Sequence, residues 1–269
     1  MKISCCMILT NIPQRAQLVE NTIDSLDDCE KIFDERIMSV DVFNGGLEAE
    51  WFNRYKNNWS VYFKGKSPSK SMILNHQNVV QKSSNNVIFY TEDDIVINKT
   101  PKLDTIEQLF NGAVINGKPV GFISYNNHVW IQFKENPQHI IDFISNPDNY
   151  ITINGDTFLI KTEMIKDRYY LNFPVSIFTR DVMLKLHEHA MINCTNTTIE
   201  EGLTKAWFDL GYDKKYEVLI YVKNEILDDI RAGKKLTVID FYNYAQMNFW
   251  NNDTKLRHPS IPGGNNVSF

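Results

Sequence analysis

The stretch from Asn85 to Pro101, NNVIFYTEDDIVINKTP, constrains this chain most, because in it an apolar run ends on three consecutive carboxylates. Val87, Ile88, Phe89 and Tyr90 show no polar alternation, which is the pattern of a strand covered on both faces, and Ile95, Val96 and Ile97 resume it after Glu92, Asp93 and Asp94. Adjacent carboxylates that share a site disfavour one another's ionised form, and a divalent cation removes that conflict. A solvated turn accounts equally well for a bare acidic triplet. The apolar runs on either side tie this one to the end of a buried strand.

The rest of the N-terminal half alternates strand and helix patterns. Ile3 to Leu9 is a continuous apolar run closing at Thr10 and Asn11, and Ala16, Val19, Ile23 and Leu26 then recur with helical spacing. A second strand fits Ile37 to Phe43, ended by Asn44-Gly45-Gly46, and a helix fits Ser69 to Gln81. Farther on, Val120 to Ser124 and Thr157 to Ile160 read as strands, and Arg180 to His189 and Ile199 to Leu210 as helices. Such alternation predicts an α/β fold with a mixed, mostly parallel sheet flanked by helices, in which ligands sit at the carboxyl ends of the strands. No Pro/Gly/Ser-rich linker interrupts it. The expected organisation is one catalytic domain over residues 1–216, with a nucleotide-sugar and metal half (1–105) and an acceptor half (106–216). Residues 217–269 are read as a C-terminal appendage on the same domain.

Composition excludes several classes. With 43% hydrophobic and 23% charged residues, the 269-residue chain can bury a large core. Its formal net charge of -5 offers no basic footprint for nucleic acid or an anionic membrane. No run approaches the ~20 apolar residues of a membrane span, and MKISCCMILT lacks the flanks of a signal peptide, so the expected location is the cytoplasm. Cys5, Cys6, Cys29 and Cys194 form no CxxC pair and read as reduced core thiols.

The run of helix, turn, strand, acidic motif and proline, from Ser69, Lys70 and Asn75 through TEDDIVINKTP, resembles the GT-A glycosyltransferases and their DxD-type motif. The resemblance implies a Rossmann-like GT-A fold that binds a nucleotide-sugar donor with Mn²⁺ or Mg²⁺. It gives Glu92 a place near the donor ribose and Asp94 the metal, with Asp93 in either role. Glu stands where the family's first Asp is usual. The loop after the first strand and the end of the second would hold the nucleoside, through Thr10, Asn11 and Arg15 in ILTNIPQR and through Asp41 in SVDVFNG. Lys70 would meet a phosphate, Asn75 would lie beside it, and Asp156 in the NGDT turn would reach the donor sugar. His258 near the C-terminus would add a metal ligand, as late histidines do in some members.

A second resemblance lies in TIEEGLTKAWFDLGY, residues 198–212, where inverting members carry an acidic pair opening a helix that ends in Gly-Tyr. Counting back from Gly211-Tyr212 makes Glu200 the base, whereas matching the pair directly makes it Glu201. Helix-dipole stabilisation alone also explains acids in a first turn. The implied activity is transfer of a sugar, with a UDP-sugar favoured, to an acceptor hydroxyl on a glycan by inverting displacement.

Three other readings stay open. A hydroxymethylated pyrimidine in DNA is an alternative acceptor, and the Asn, Lys and Ile bias fits an AT-rich viral or bacterial genome. A sugar nucleotidyltransferase should open on a Gly-rich phosphate loop, and ILTNIPQR contains no glycine. A non-catalytic sugar-binding module would need neither base nor metal. Of the tryptophans, Trp207 is expected in the core, which leaves Trp130 and Trp250 as candidate sugar platforms.

Overall fold

A computed structural model describes residues 1–10, 16–27, 29–41, 48–64, 71–97, 100–125, 142–143, 146–160, 170–171, 173–193, 199–234 and 245–247. The strands are β1 (Ile3–Thr10), β2 (Glu35–Asp41), β3 (Ser60–Lys64), β4 (Val87–Glu92), β5 (Ile95–Ile97), β6 (Val114–Ile115), β7 (Lys118–Ser124), β8 (Tyr150–Ile153), β9 (Asp156–Ile160), β10 (Val175–Thr179), β11 (Glu217–Val222) and β12 (Ala245–Met247). The helices are α1 (Ala16–Asp27), α2 (Glu48–Tyr55), α3 (Ser71–Lys82), α4 (Leu103–Phe110), α5 (Arg180–Asn193), α6 (Ile199–Asp209) and α7 (Asn224–Arg231).

One ten-stranded sheet carries the fold, in the order β3-β2-β1-β4-β10-β7-β11-β9-β8, with β6 paired to β7. The β3-β2-β1-β4 half is parallel, because each of its sequential strands is joined to the next through a helix, α1, α2 or α3. β10 inserts antiparallel between β4 and β7, and β9 runs antiparallel between β11 and β8. The fold is therefore α/β with a mostly parallel sheet, as the alternation of patterns predicts.

Alternation along the strands explains the apolar runs. In β1, Ile3, Cys5, Met7 and Leu9 pack on one side with Val19, Ile23 and Leu26 of α1 and Ile106 and Leu109 of α4. Cys6 and Ile8 face the other side with Val79 and Val80 of α3, Leu186 of α5 and Trp207 of α6. Both faces are covered, so a strand needs apolar residues at every position. Each large side chain buried this way stabilises the fold by roughly 1.5–3 kcal/mol. Trp207 is fully buried, as its helical position predicts. Gly121 lets this layer close on the sheet, since a Cβ there would lie 2.8 Å from Tyr216 Cβ and 3.0 Å from the Trp207 ring.

The structure adds elements that the patterns do not reveal, among them α2, β3, α4 and β10. Residues 217–222 form β11, wholly buried and bonded to β7 on one side and β9 on the other. Its near-continuous apolar run, EVLIYV, is the pattern of an interior strand. No helix among the described residues is long and apolar enough to cross a membrane. Cys5, Cys6 and Cys29 are buried thiols.

A polar pair sits within the second layer. Nδ1 of His76 on α3 and Nε2 of His187 on α5 are 2.7 Å apart, in rings that are fully buried. Neutral imidazoles can make such a contact, one donating and one accepting. Burial pushes the His187 pKa down to about 3. Burial, and then the neighbouring His187, hold His76 well below its ordinary value. A base whose folded pKa is depressed contributes stability that is complete above its unfolded pKa of about 6.5 and is lost as pH falls below it. From pH 6.5 to pH 5 the His187 contribution alone should cost about 2 kcal/mol. Thermal melts at the two pH values should show the loss, and a double variant His76→Gln/His187→Gln should show a flatter pH dependence. An unchanged slope would rule this pair out as its source.

Candidate active site

The parallel strands end together. Thr10 is in register with Asp41, Asp41 with Lys64, and Ile8 with Glu92, so the carboxyl ends of β1 to β4 form one edge. Along it β1 lies between β2 and β4, while α1 covers one face and α3 the other. That reversal is a topological switch point, where open α/β sheets leave a crevice for ligands.

The acidic triplet occupies this edge. Glu92 closes β4, and Asp93 and Asp94 form the turn into β5. Their exposures are 7%, 3% and 4%, so the triplet is not the solvated turn that three adjacent acids would otherwise suggest. Helix α1 anchors the turn: Thr22 Oγ1 donates to the Asp93 carbonyl at 3.0 Å, and the Ile97 amide donates to Ser25 Oγ at 3.0 Å. On the other side β12 pairs antiparallel with β5, Met247 opposite Ile95, which brings the chain at Met247 beside the acidic turn.

Glu200 approaches from a different element. β10 ends where β4 begins, Thr179 opposite Val87, so α5 starts at the far edge of the sheet and its 14 residues return about 21 Å towards the carboxyl edge. α6 then reverses direction and packs on α5 and α3, with Glu200 and Glu201 in its first turn at the carboxyl edge. Tyr90 marks where the two acidic groups converge. It is fully buried. Burial first, and then the negative charges of Glu92, Glu200, Asp93 and Asp94, hold its phenol protonated well above the ordinary tyrosine range. No hydrogen-bond partner meets the Tyr90 hydroxyl among the described residues. The tyrosine reads in the sequence as one more apolar strand residue, and only the fold shows what surrounds it.

The other candidates divide. Thr10 and Asp41 lie on the same edge by strand register. Asn11, Arg15, Lys70, His258, Trp130 and Trp250 lie outside the described residues. Asn75 is 3% exposed, and its Oδ1 accepts from Ser39 Oγ at 2.7 Å, so its amide joins α3 to β2. Asp156 follows a tight hairpin turn in which Asn154 and Gly155 have φ of 51° and 80°, the left-handed pair that a two-residue connection requires. Its carboxylate lies 3.3 Å from Lys102 Nζ and accepts from Thr105 Oγ1 at 3.3 Å, at the start of α4. β9 is four strand steps from β4, which sets Asp156 about 19 Å along the sheet from Glu92. The structure thus gathers the triplet and Glu200 and leaves Asp156 with partners of its own.

The triplet is an all-oxygen donor set, which suits a hard cation such as Mg²⁺ or Mn²⁺. Among the described residues, no three His, Cys, Asp or Glu side chains form a group that could hold an ion alone. Phosphate and water oxygens readily complete the shell of such a cation. A groove of about 490 Å³ between the outer sides of α3 and α5, lined by Gln77, Gln81, Leu184, Glu188, Met191 and Ile192, includes none of these site residues.

No protein-family model matches the chain, and no curated protein matches it. Solved structures resemble it in layout. A 4-diphosphocytidyl-2C-methyl-D-erythritol synthase from Anaerococcus prevotii is 11% identical with a TM-score of 0.45, the match covering 86% of this chain and 95% of that one. The mannosyltransferase PcManGT from Pyrobaculum calidifontis, in complex with GDP-Man and Mn²⁺, is 11% identical with a TM-score of 0.46 over 82% of this chain and 56% of that one. GalNAc-T7 with UDP, GalNAc and Mn²⁺ is 10% identical with a TM-score of 0.49 over 82% of this chain and 41% of that one. The chain spans about half the length of the last two.

Proposed function

We propose that this chain is a glycosyltransferase that moves a sugar from a nucleoside-diphosphate donor, with a UDP-sugar favoured, to an acceptor hydroxyl on a glycan, by a metal-dependent inverting displacement. The observation that supports this reading is the placement of acidic groups from two elements towards the carboxyl edge of the sheet, the buried Glu92-Asp93-Asp94 turn and Glu200 in the first turn of α6, whose charges both act on Tyr90. One suits a cation shared with a diphosphate and the other a proton acceptor. A binding module would need neither.

In this reading residues 1–105 hold the donor and residues 106–216 the acceptor. Thr10 and Asp41, at the carboxyl ends of β1 and β2, bind the nucleoside in this reading, and Glu92 lies towards the ribose. Asp94 would hold the Mn²⁺ or Mg²⁺, and His258 would add a further ligand. When bound, the cation neutralises charge that builds on the departing diphosphate. Glu200 takes the proton of the acceptor hydroxyl as its oxygen bonds to the anomeric carbon. The bond from that carbon to the diphosphate breaks on the opposite side, and the configuration inverts. Burial of the edge keeps water from competing for the sugar.

Thermal shift against UDP, GDP, CMP and dTDP, each with Mn²⁺ and with EDTA, tests the reading. One nucleoside diphosphate with Mn²⁺ should stabilise the chain by about 2.7 kcal/mol at a hundred times its Kd. EDTA should abolish the effect. Failure of every nucleotide to stabilise the protein would remove the transferase reading.

A further inference from the structure

We propose that Thr22 and Ser25 of α1 are positioning residues for the cation: through the backbone of the β4–β5 connection they hold Asp94 in place before any cation arrives, an inference that rests on the transferase reading. Two hydrogen bonds carry it. Thr22 Oγ1 donates to the Asp93 carbonyl at 3.0 Å, immediately before Asp94, and Ser25 Oγ accepts from the Ile97 amide at 3.0 Å, beyond it. Asp94 therefore lies between two points at which the chain is tied to one helix. The Ser25 hydroxyl donates in turn to the Thr22 carbonyl at 2.7 Å, so this side chain is used in both directions.

The residue types at these positions argue for more than packing. Leu18, Thr22 and Ser25 recur at helical spacing on one buried stripe of α1, beside Val19, Ile23 and Leu26. A helix that covers a sheet fills such a stripe with apolar side chains, yet Thr22 is 0% exposed and Ser25 8%. Hydroxyls inside a helix compete with its own backbone and are neutral to unfavourable there. Both of these reach the same connection. The carboxylates on it, Glu92, Asp93 and Asp94, are buried side by side, and their like charges oppose close approach in the ligand-free protein. A turn free to relax would spread them and would have to regather them when a cation binds. α1 resists that movement, because Val19, Ile23 and Leu26 fix it in the core beside β1. On the other side of β5 the pairing with β12 holds the connection from the opposite edge. Partners that orient a metal ligand from behind typically change metal affinity by about tenfold to a hundredfold when removed.

The test measures Mn²⁺ binding itself, by calorimetry and by loss of the free-ion paramagnetic resonance signal, with UDP in excess. Thr22→Val keeps the shape of the side chain and removes the donor, and it should weaken Mn²⁺ binding by about tenfold to a hundredfold. Thr22→Ser, which keeps the hydroxyl, should restore most of the affinity. Ser25→Ala should weaken binding on the same scale, and it carries the comparison alone if Thr22→Val does not fold. Ile23→Val is the control, a change in the same buried layer of the same helix with no bond to the connection. It should lower the melting temperature and leave Mn²⁺ affinity unchanged. Lower melting temperatures with unchanged Mn²⁺ affinity in Thr22→Val and Ser25→Ala would make the hydroxyls merely structural, overturning the proposal and leaving the transferase reading standing. An equal loss of affinity in Ile23→Val would overturn it too, since any loosening of α1 would then suffice. Absence of Mn²⁺ binding with UDP in the wild type defeats the reading itself, and this inference with it.

Discussion

Glu200→Gln is expected to lower the rate of sugar transfer by about 10²–10⁴-fold, the usual contribution of a positioned general base, with little change in nucleotide affinity. Glutamine keeps the shape and hydrogen-bonding capacity of the side chain and loses the ability to take a proton. Glu201→Gln is the matched control. Both carboxylates stand in the first turn of α6 and feel the same helix dipole, so a capping role would make the two variants alike. Glu200, however, is the one that counting back from Gly211-Tyr212 makes the base, and its charge acts on Tyr90 beside the acidic turn. Initial rates at saturating donor should therefore separate the pair. A loss confined to Glu201→Gln would move the base by one residue, and equal, small losses in both would take the base away from this helix.

Asp94→Asn should abolish the Mn²⁺-dependent stabilisation by a nucleoside diphosphate and reduce transfer by about 10²–10³-fold, the equivalent of several kcal/mol of charge stabilisation. Its effect on the ligand-free protein should have the opposite sign. Asp94 is 4% exposed beside Glu92 and Asp93 at 7% and 3%, so removing one negative charge from the turn relieves repulsion among buried groups. The melting temperature without ligand should hold or rise, whereas the increment from UDP and Mn²⁺ should vanish. Calorimetry with UDP in the presence of Mn²⁺ reads the same loss as weakened binding. A variant that melts lower without ligand yet keeps the full increment would show Asp94 to be a structural residue.

The first half of the sheet was legible in the chain because its signals are local. The run from Ile3 to Leu9, the helical spacing of Ala16, Val19, Ile23 and Leu26, and the strand ending on Glu92 appear as β1, α1 and β4. Two-sided burial makes such strands apolar at each position, and the acids stand out against that background. A buried strand that follows a helix with no acidic marker, such as β11, carries the same apolar signature with nothing to say where it pairs. Its place between β7 and β9 depends on contacts far apart in sequence.

The candidate site divides the same way. Residue order alone shows three carboxylates ending an interior strand and two more opening a helix that ends in Gly-Tyr, because charge, burial pattern and helix spacing are written residue by residue. Where each of these lies in space depends on long-range pairing. In the fold Asn75 accepts a bond from Ser39, and Asp156 lies four strand steps from β4 beside Lys102 and Thr105. The charges of Glu200 and of the acidic turn both act on one buried tyrosine, Tyr90. The physical reason is strand order: β10 inserts antiparallel beside β4 and returns the chain through α5 to the carboxyl edge, a pairing fixed by long-range hydrogen bonds that no local pattern encodes.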